Sequence, residues 1–286
     1  MSIPALFRQT VVSLEVFPPK PDAPVDMIHQ TLVQLSHLKP DYMSVTYGAG
    51  GSRAGLTLEI AKEIPTLCGC PALGHLTCVG ADKASIQQSL AQFQQAGVEA
   101  ILALRGDVPA GMDAQTAFAH MPYASELVKE IVAYGGFSVA AACYPESHYQ
   151  SDSQRDDLLY LKRKVDCGVD WLVSQLFFDN DAFFSFVDRA RRIGIRVPIT
   201  AGIMPVLNAK QILRMTTLCG ASIPASLSRI IARYGEDPVS FAEAGMDFCC
   251  AQITDLLKGG VDGIHLYSMN RAKSATAILQ RTGLRD

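Results

Sequence analysis

The regular alternation of strand-like and helix-like runs constrains this chain more than any single motif. Val11–Phe17 puts Val12, Leu14 and Val16 on one face and Ser13, Glu15 and Phe17 on the other, and Pro18-Pro19 stops it. Val25–Leu38 then carries Met27, Ile28, Leu32, Leu35 and Leu38 near a helical period, with Pro40 beyond its end. The pair repeats to the end of the sequence. Further strands are predicted at Tyr42–Tyr47, Ala72–Cys78, Glu99–Arg105, Phe137–Tyr144, Asp170–Phe177, Arg196–Ile203 and Gly263–Met269. The intervening helices are predicted at Leu56–Pro65, Lys83–Ala96, Tyr123–Tyr134, Gln154–Cys167, Asp181–Ile193 and Ala209–Cys219. Two more, near Ala225–Tyr234 and Pro238–Lys258, precede the last strand, and Arg271–Arg281 follows it. Eight strands, each followed by a helix, within 286 residues predict an α/β chain forming one domain over residues 1–286, a closed parallel (β/α)8 TIM barrel with extra helices before the last strand. An open Rossmann sheet lacks its marker: no strand runs into G-x-G-x-x-G, and Gly48-Ala49-Gly50-Gly51 is spaced wrongly.

Composition narrows the ligand. An apolar fraction of 49% with a net charge of −3 and no basic blocks gives no electrostatic footprint for nucleic acid or an anionic membrane, so a small molecule is expected. Met1–Thr10 lacks a basic segment leading into a long apolar run, and no stretch approaches the ~18 apolar residues of a membrane span, so a cytoplasmic location is expected. The eight cysteines are irregularly spaced and mostly embedded in apolar runs, as reduced core thiols are. Cys68, Cys70, His75 and Cys78 resemble zinc ligands in type, but Pro71–Cys78 reads as a strand. At ~3.3 Å per residue Cys70 and His75 would stand ~16 Å apart, too far to share one ion, and no metal is expected.

In a parallel barrel the carboxyl ends of all strands meet in one ring, so residues distant in sequence become neighbours. Reading those ends collects Glu15, Thr46, Tyr47, His75, Thr77, Arg105, Gly106, Asp107, Tyr144, Glu146, His148, Gln175, Asn270 and Arg271. The run V-E-A-I-L-A-L-R-G-D, Val98–Asp107, ends two apolar faces abruptly in a cation, a glycine and an anion. Such a triplet either faces a substrate or is a solvated surface turn. Glu15 lies in an apolar strand with parity opposite to Leu14 and Val16, which places its carboxyl away from water. That suits a general acid, and equally a buried glutamate neutralised by a lysine or arginine. Asp107, in a wetter place, suits an electrostatic role. His75 and His148 are candidate bases or simple hydrogen-bond partners. Asp157, Tyr160, Arg163 and Lys164 share a stripe of a surface helix whose charge order also suits the helix dipole.

Together these residues carry a signature. The chain resembles methylenetetrahydrofolate reductases over nearly its whole length, through S-L-E-V-F-P-P (Ser13–Pro19), S-V-T-Y-G-A (Ser44–Ala49), H-L-T-C (His75–Cys78), A-L-R-G-D (Ala103–Asp107), Y-P-E-x-H (Tyr144–His148), D-L-L-x-L-K-R-K (Asp157–Lys164) and N-R-A (Asn270–Ala272). The resemblance implies non-covalent FAD on Tyr47, His75, Arg105, Gly106, Asp107, Tyr123, Ala124, Tyr144, His148, Asp157, Tyr160, Arg163 and Lys164. It implies Thr46 and Gln175 at the NADH or NADPH donor, Gln175, Gln211 and Arg271 at the folate, Glu15 as proton donor and Asp107 beside flavin and pterin. The implied reaction passes hydride from nicotinamide to methylenetetrahydrofolate in ping-pong order. Its partners are these small molecules, with homo-oligomerisation left open. The competing readings are a related flavin barrel oxidising proline or another amine, and a non-catalytic flavin-binding barrel. Two positions depart from the pattern: Met215 stands where an aromatic lid is expected, and Ala201 where a proline usually precedes the Gly-Ile. The match covers the catalytic barrel and not the regulatory domain of eukaryotic members, so no control by S-adenosylmethionine is expected.

Overall fold

The structure, a computed structural model, describes residues 2–19, 26–47, 54–109 and 111–285. Val25, which opens the predicted first helix, the segment Gly48-Ala49-Gly50-Gly51 and Ala110 lie outside the described residues.

Eight parallel strands close on themselves in chain order: β1 (Val11–Val16), β2 (Tyr42–Val45), β3 (Ala72–Thr77), β4 (Ala100–Leu104), β5 (Ser138–Cys143), β6 (Trp171–Ser174), β7 (Ile199–Ile203) and β8 (Gly263–Tyr267). The seam pairs β1 with β8 from Val11↔Gly263 to Glu15↔Tyr267. The helices are α1 (Asp26–Ser36), α2 (Ala54–Cys68), α3 (Lys83–Gln95), α4 (Ala114–Ala117), α5 (Ala124–Tyr134), α6 (Gln154–Val165), α7 (Asn180–Arg192), α8 (Ala209–Cys219), α9 (Ala225–Tyr234), α10 (Pro238–Lys258) and α11 (Ala272–Arg281). The (β/α)8 barrel expected from the alternation is therefore observed, with α9 and α10 the extra helices before the last strand.

Side-chain parity divides each strand between two environments. Val12, Leu14 and Val16 of β1, Ile101 and Ala103 of β4, and Ile264 and Leu266 of β8 face outward into the main core, where they meet the buried faces of the helices. The inward residues differ around the ring. On β4 to β6 they are apolar: Ala100, Leu102, Ala140, Trp171 and Val173. From β7 through β8 to β3 they include Thr200, His265, Ser13, Glu15, Ser44, His75 and Thr77, all buried. A 3-10 helix, Ile3–Leu6, plugs the amino-terminal end of the bore, with Ile3, Leu6 and Phe7 packed on Val11, Tyr42 and Trp171.

The floor is tied by a repeated device. Asp41, just before β2, accepts the Val12 N–H at 2.7 Å and donates its own N–H to Val12 O at 2.8 Å. Asp170, before β6, makes the same reciprocal pair with Val139, and Asp262, before β8, accepts from Ile199 N–H at 2.8 Å. Each carboxylate satisfies a strand-opening donor that the ladder leaves over.

The structure differs from the sequence reading in consistent ways. Seven predicted strands overrun by one to three residues at the carboxyl end: β1, β2, β3, β4, β5, β6 and β8 stop before Phe17, Thr46, Cys78, Arg105, Tyr144, Gln175 and Ser268. Apolar periodicity continues past the last ladder bond: Cys78 and Phe177 remain in the main core although they lie outside the strands. Helix α2 passes through Pro65 instead of ending there and runs to Cys68. The ring costs one main-chain bond, which burial of Ile60, Ala61 and Ile64 offsets. The short α4 and the 3-10 helix have too few residues to show a period.

Removing one floor carboxylate isolates its contribution. Asp170→Ala orphans the Val139 N–H and is expected to cost about 1–3 kcal/mol, read as a lower midpoint in urea with an unchanged slope. An unshifted midpoint would show that water replaces the carboxylate without loss.

Candidate active site

Glu15 is the next-to-last residue of β1, points into the bore and is 7% exposed. It faces two imidazoles rather than the lysine or arginine that its neutralised reading required. Its Oε2 lies 3.6 Å from His75 Nε2 and 3.5 Å from His265 Nε2. Behind it, His265 Nδ1 stands 2.8 Å from Ser13 Oγ, so serine, imidazole and carboxyl form one buried row. Burial drives the His75 pKa down to about 4; Glu15 acts in the opposite direction, and His265 adds to the depression. His75 therefore enters neutral chemistry as an uncharged ring.

His265 was not singled out from the sequence, although the rule that found Glu15 would have found it. It is the polar residue of G-I-H-L-Y at the parity opposite Ile264 and Leu266. Tyr267, next on that face, donates to Ser174 O at 2.7 Å. The approach is close enough that a side chain on Gly202 would begin 2.2 Å from Ser174 O.

The backbone of Glu15 is clamped from β8. Ser268 Oγ donates to Glu15 O at 2.5 Å, and the Asn270 side chain both accepts from Phe17 N–H (3.0 Å) and donates to Phe17 O (2.9 Å). Met269 and Asn270 take φ values of +54° and +53° to bring that amide into place. The asparagine of N-R-A thus extends the ladder beyond the last strand residue, while Arg271 stands exposed at the start of α11.

The rest of the mouth divides into a cationic side and a polar side. Arg105 leaves β4 with its guanidinium 3.9 Å from the Phe118 ring, Nε donating to Pro122 O at 2.8 Å, and a further bond to Gln150. Gly106 takes φ +82°, and a side chain there would begin 2.7 Å from Val79, so only glycine fits. Asp107 is exposed, as its wetter setting suggested. Tyr123 caps α5 with Ala124 behind it, and Tyr144 meets His148 edge-on at 4.7 Å. Burial raises the Tyr144 hydroxyl pKa and lowers that of His148. On α6, Asp157 accepts from Ser151 Oγ at 2.9 Å, and Arg163 stands 5.6 Å from the exposed Tyr160 ring. Lys164 departs from the surface-stripe expectation: it is half-buried, and Nζ donates to Ala142 O at 2.6 Å, joining α6 to β5.

On the polar side, Thr46 and Tyr47 follow β2, and Thr46 O accepts from Thr57 at 2.8 Å. Gln175 follows β6 and folds its Oε1 onto Leu176 N–H at 2.8 Å, which leaves its amide nitrogen for a ligand. Gln211 and Met215 lie one turn apart on α8, both half-buried.

These residues fit an anionic, hydroxyl-rich dinucleotide such as FAD. Arg105, Arg163 and Lys164 supply cations, Asp157 accepts hydroxyls, and Gly106 lets backbone approach the ligand. Thr77 Oγ1, buried beside Gly106, is a polar atom without a protein partner. Among the described residues no group of three metal-ligating side chains converges; burial lifts the Cys70 and Cys78 thiols to about 12.

Fold and site together define the class, a parallel barrel with its chemistry at the carboxyl ends of the strands. A family model described as methylenetetrahydrofolate reductase matches residues 3–283, and the chain belongs to that family. It is 34% identical to 5,10-methylenetetrahydrofolate reductase of Escherichia coli (strain K12), over 97% of this chain and 92% of that one. It is 38% identical to methylenetetrahydrofolate reductase (NADH) 1 of Arabidopsis thaliana, over 97% of this chain but 49% of the plant protein; the chain spans about half the length of such plant relatives. Among solved structures, an uncharacterised protein from Clostridium thermocellum that binds two copies of 5-methyl-5,6,7,8-tetrahydrofolic acid is similar in fold, with a TM-score of 0.63 at 15% identity, over 96% of this chain and 95% of that one.

The depressed His75 pKa has a consequence for stability. An imidazole kept neutral in the fold but free to protonate in the unfolded chain stabilises fully above about 6.5, and that contribution is lost as pH falls toward about 4. The loss should reach about 3 kcal/mol for that shift. Urea unfolding of wild type and His75→Gln between those limits should show a shallower pH slope in the variant. Equal slopes would mean that His75 is not held neutral.

Proposed function

We propose that the chain is an oxidoreductase that uses NADH or NADPH to reduce 5,10-methylenetetrahydrofolate to 5-methyltetrahydrofolate, in ping-pong order, with non-covalent FAD as resident cofactor. One observation carries the reading: a buried carboxyl at the end of β1, flanked by two imidazoles and opening onto the mouth. Bound against Arg105, Arg163 and Lys164, FAD would supply the two-electron relay between the two substrates.

The chain's own residues account for the rest. The net change adds a hydride from the nicotinamide and one proton to the bridged folate. Glu15 delivers the proton to folate N10, which opens the one-carbon bridge and leaves a cationic centre for the hydride. Asp107, an exposed anion at the rim, stabilises that cation. The amide of Gln175 orients each substrate in turn, since both use one face of the site. Gln211 and Arg271 hold the folate, and Thr46 the nicotinamide. An amine-oxidising barrel needs no acid at Glu15, and a non-catalytic one needs neither Glu15 nor Asp107.

The half-reactions separate the roles. Glu15→Gln keeps size and polarity but carries no acidic proton, so flavin bleaching by the nicotinamide in stopped flow should survive. Reoxidation by methylenetetrahydrofolate should fall by at least ~10²-fold. Wild-type reoxidation in the variant would make Glu15 a packed core carboxyl and defeat the reading.

Lys164→Ala tests the cofactor site. Flavin release on dilution, followed by fluorescence, should reveal affinity lowered by about tenfold, ~1.4 kcal/mol. The orphaned Ala142 carbonyl should also lower the unfolding midpoint slightly. Unchanged flavin affinity would remove Lys164 from the site.

A further inference from the structure

One carboxylate ties the loop after β5 to the helical segment inserted between β7 and β8. Glu146, two residues beyond Tyr144, accepts the Ser222 N–H with both oxygens, at 3.0 and 3.2 Å, across 76 residues of sequence. Ser222 lies in the turn between α8 and α9, so the bond fastens the carboxyl end of the helix that carries Gln211 and Met215.

The surrounding backbone is shaped for this contact. Ser147 takes φ +80°, a conformation uncommon outside glycine, while its N–H bonds to Tyr144 O at 3.2 Å. His148 meets Tyr144 edge-on at 4.7 Å and stacks on Tyr149 at 4.7 Å with 24° between planes. Tyr149 Cβ in turn lies 3.7 Å from where a side chain on Gly220 would start, and Gly220 is the left-handed cap of α8, φ +70°. Rings and carboxylate therefore bridge the same two segments by separate routes. The far end of α8 also looks onto the mouth: burial raises Cys219 to about 11, and the Asp107 charge adds to it.

We propose that Glu146 is a positioning residue for the folate step, a latch that holds the α8–α9 turn to the loop bearing Tyr144 and His148 and so keeps Gln211 and Met215 over the mouth. The role in turnover rests on the folate-reductase reading above; the latch itself does not. In that reading Gln211 of α8 serves the folate and Thr46, beyond β2, the nicotinamide, so loss of the latch is expected to separate the two half-reactions.

The test uses the holoenzyme and two variants. In Glu146→Ala, hydrogen–deuterium exchange across residues 216–223 should quicken by about fivefold, the ratio that one net hydrogen bond supports, while the barrel strands stay protected. The KM for methylenetetrahydrofolate should rise by a similar factor, with flavin reduction by the nicotinamide within about twofold of wild type. Glu146→Gln keeps an acceptor of the same reach and should recover most of both. Unchanged exchange around Ser222, equal slowing of both half-reactions, or Glu146→Gln as impaired as Glu146→Ala would each overturn the proposal. A wild-type protein that does not turn over the folate would instead defeat the functional reading, and exchange alone would then decide whether the latch exists.

Discussion

The seam between β8 and β1 is the contact on which the rest depends. A parallel barrel has no edges only if its first and last strands pair, and here they are separated by nearly the whole chain. The ladder from Val11↔Gly263 to Glu15↔Tyr267 makes the closure, and side chains continue it past the strand ends through Ser268 and Asn270. Closure and site are thereby one piece of structure. The residue whose carbonyl Ser268 holds is Glu15, and one of the two imidazoles that face its carboxyl, His265, belongs to the other strand of the seam.

Closure also explains why the bore is uneven. The apolar inward residues of β4 to β6 give one wall that needs no partners, whereas the opposite wall carries serine, threonine, histidine and glutamate. Buried polar groups cost free energy unless they bond to one another. Gathering them beside the seam pairs Ser13 with His265 and brings both imidazoles within 3.6 Å of the Glu15 carboxyl.

Much of this was legible in the residues themselves. Alternating parity in β1 was enough to bury Glu15, and the count of strand and helix pairs was enough for the barrel. His265 escaped because the recognisable N-R-A motif lies in the loop beyond β8, although the strand carries the same pattern as β1. Strand ends were overrun because hydrophobic alternation reports side-chain burial and not ladder bonds; Tyr144 and Gln175 are inward in parity yet outside the sheet. Lys164 read as a surface cation because helical spacing cannot show a reach back to Ala142 O. Glu146 and Ser222 could not be paired at all, since nothing local links residues 76 apart.

The floor plug has an optical consequence. The chain contains 1 tryptophan, and it is Trp171, fully buried beneath the 3-10 helix with Phe7 6.3 Å and Tyr42 6.1 Å away, ring centre to ring centre. Its intrinsic emission therefore comes from the end of the barrel opposite the mouth. Changes in its colour or intensity report loosening of the amino-terminal segment or loss of the core, whereas residues moving at the rim leave its immediate surroundings untouched.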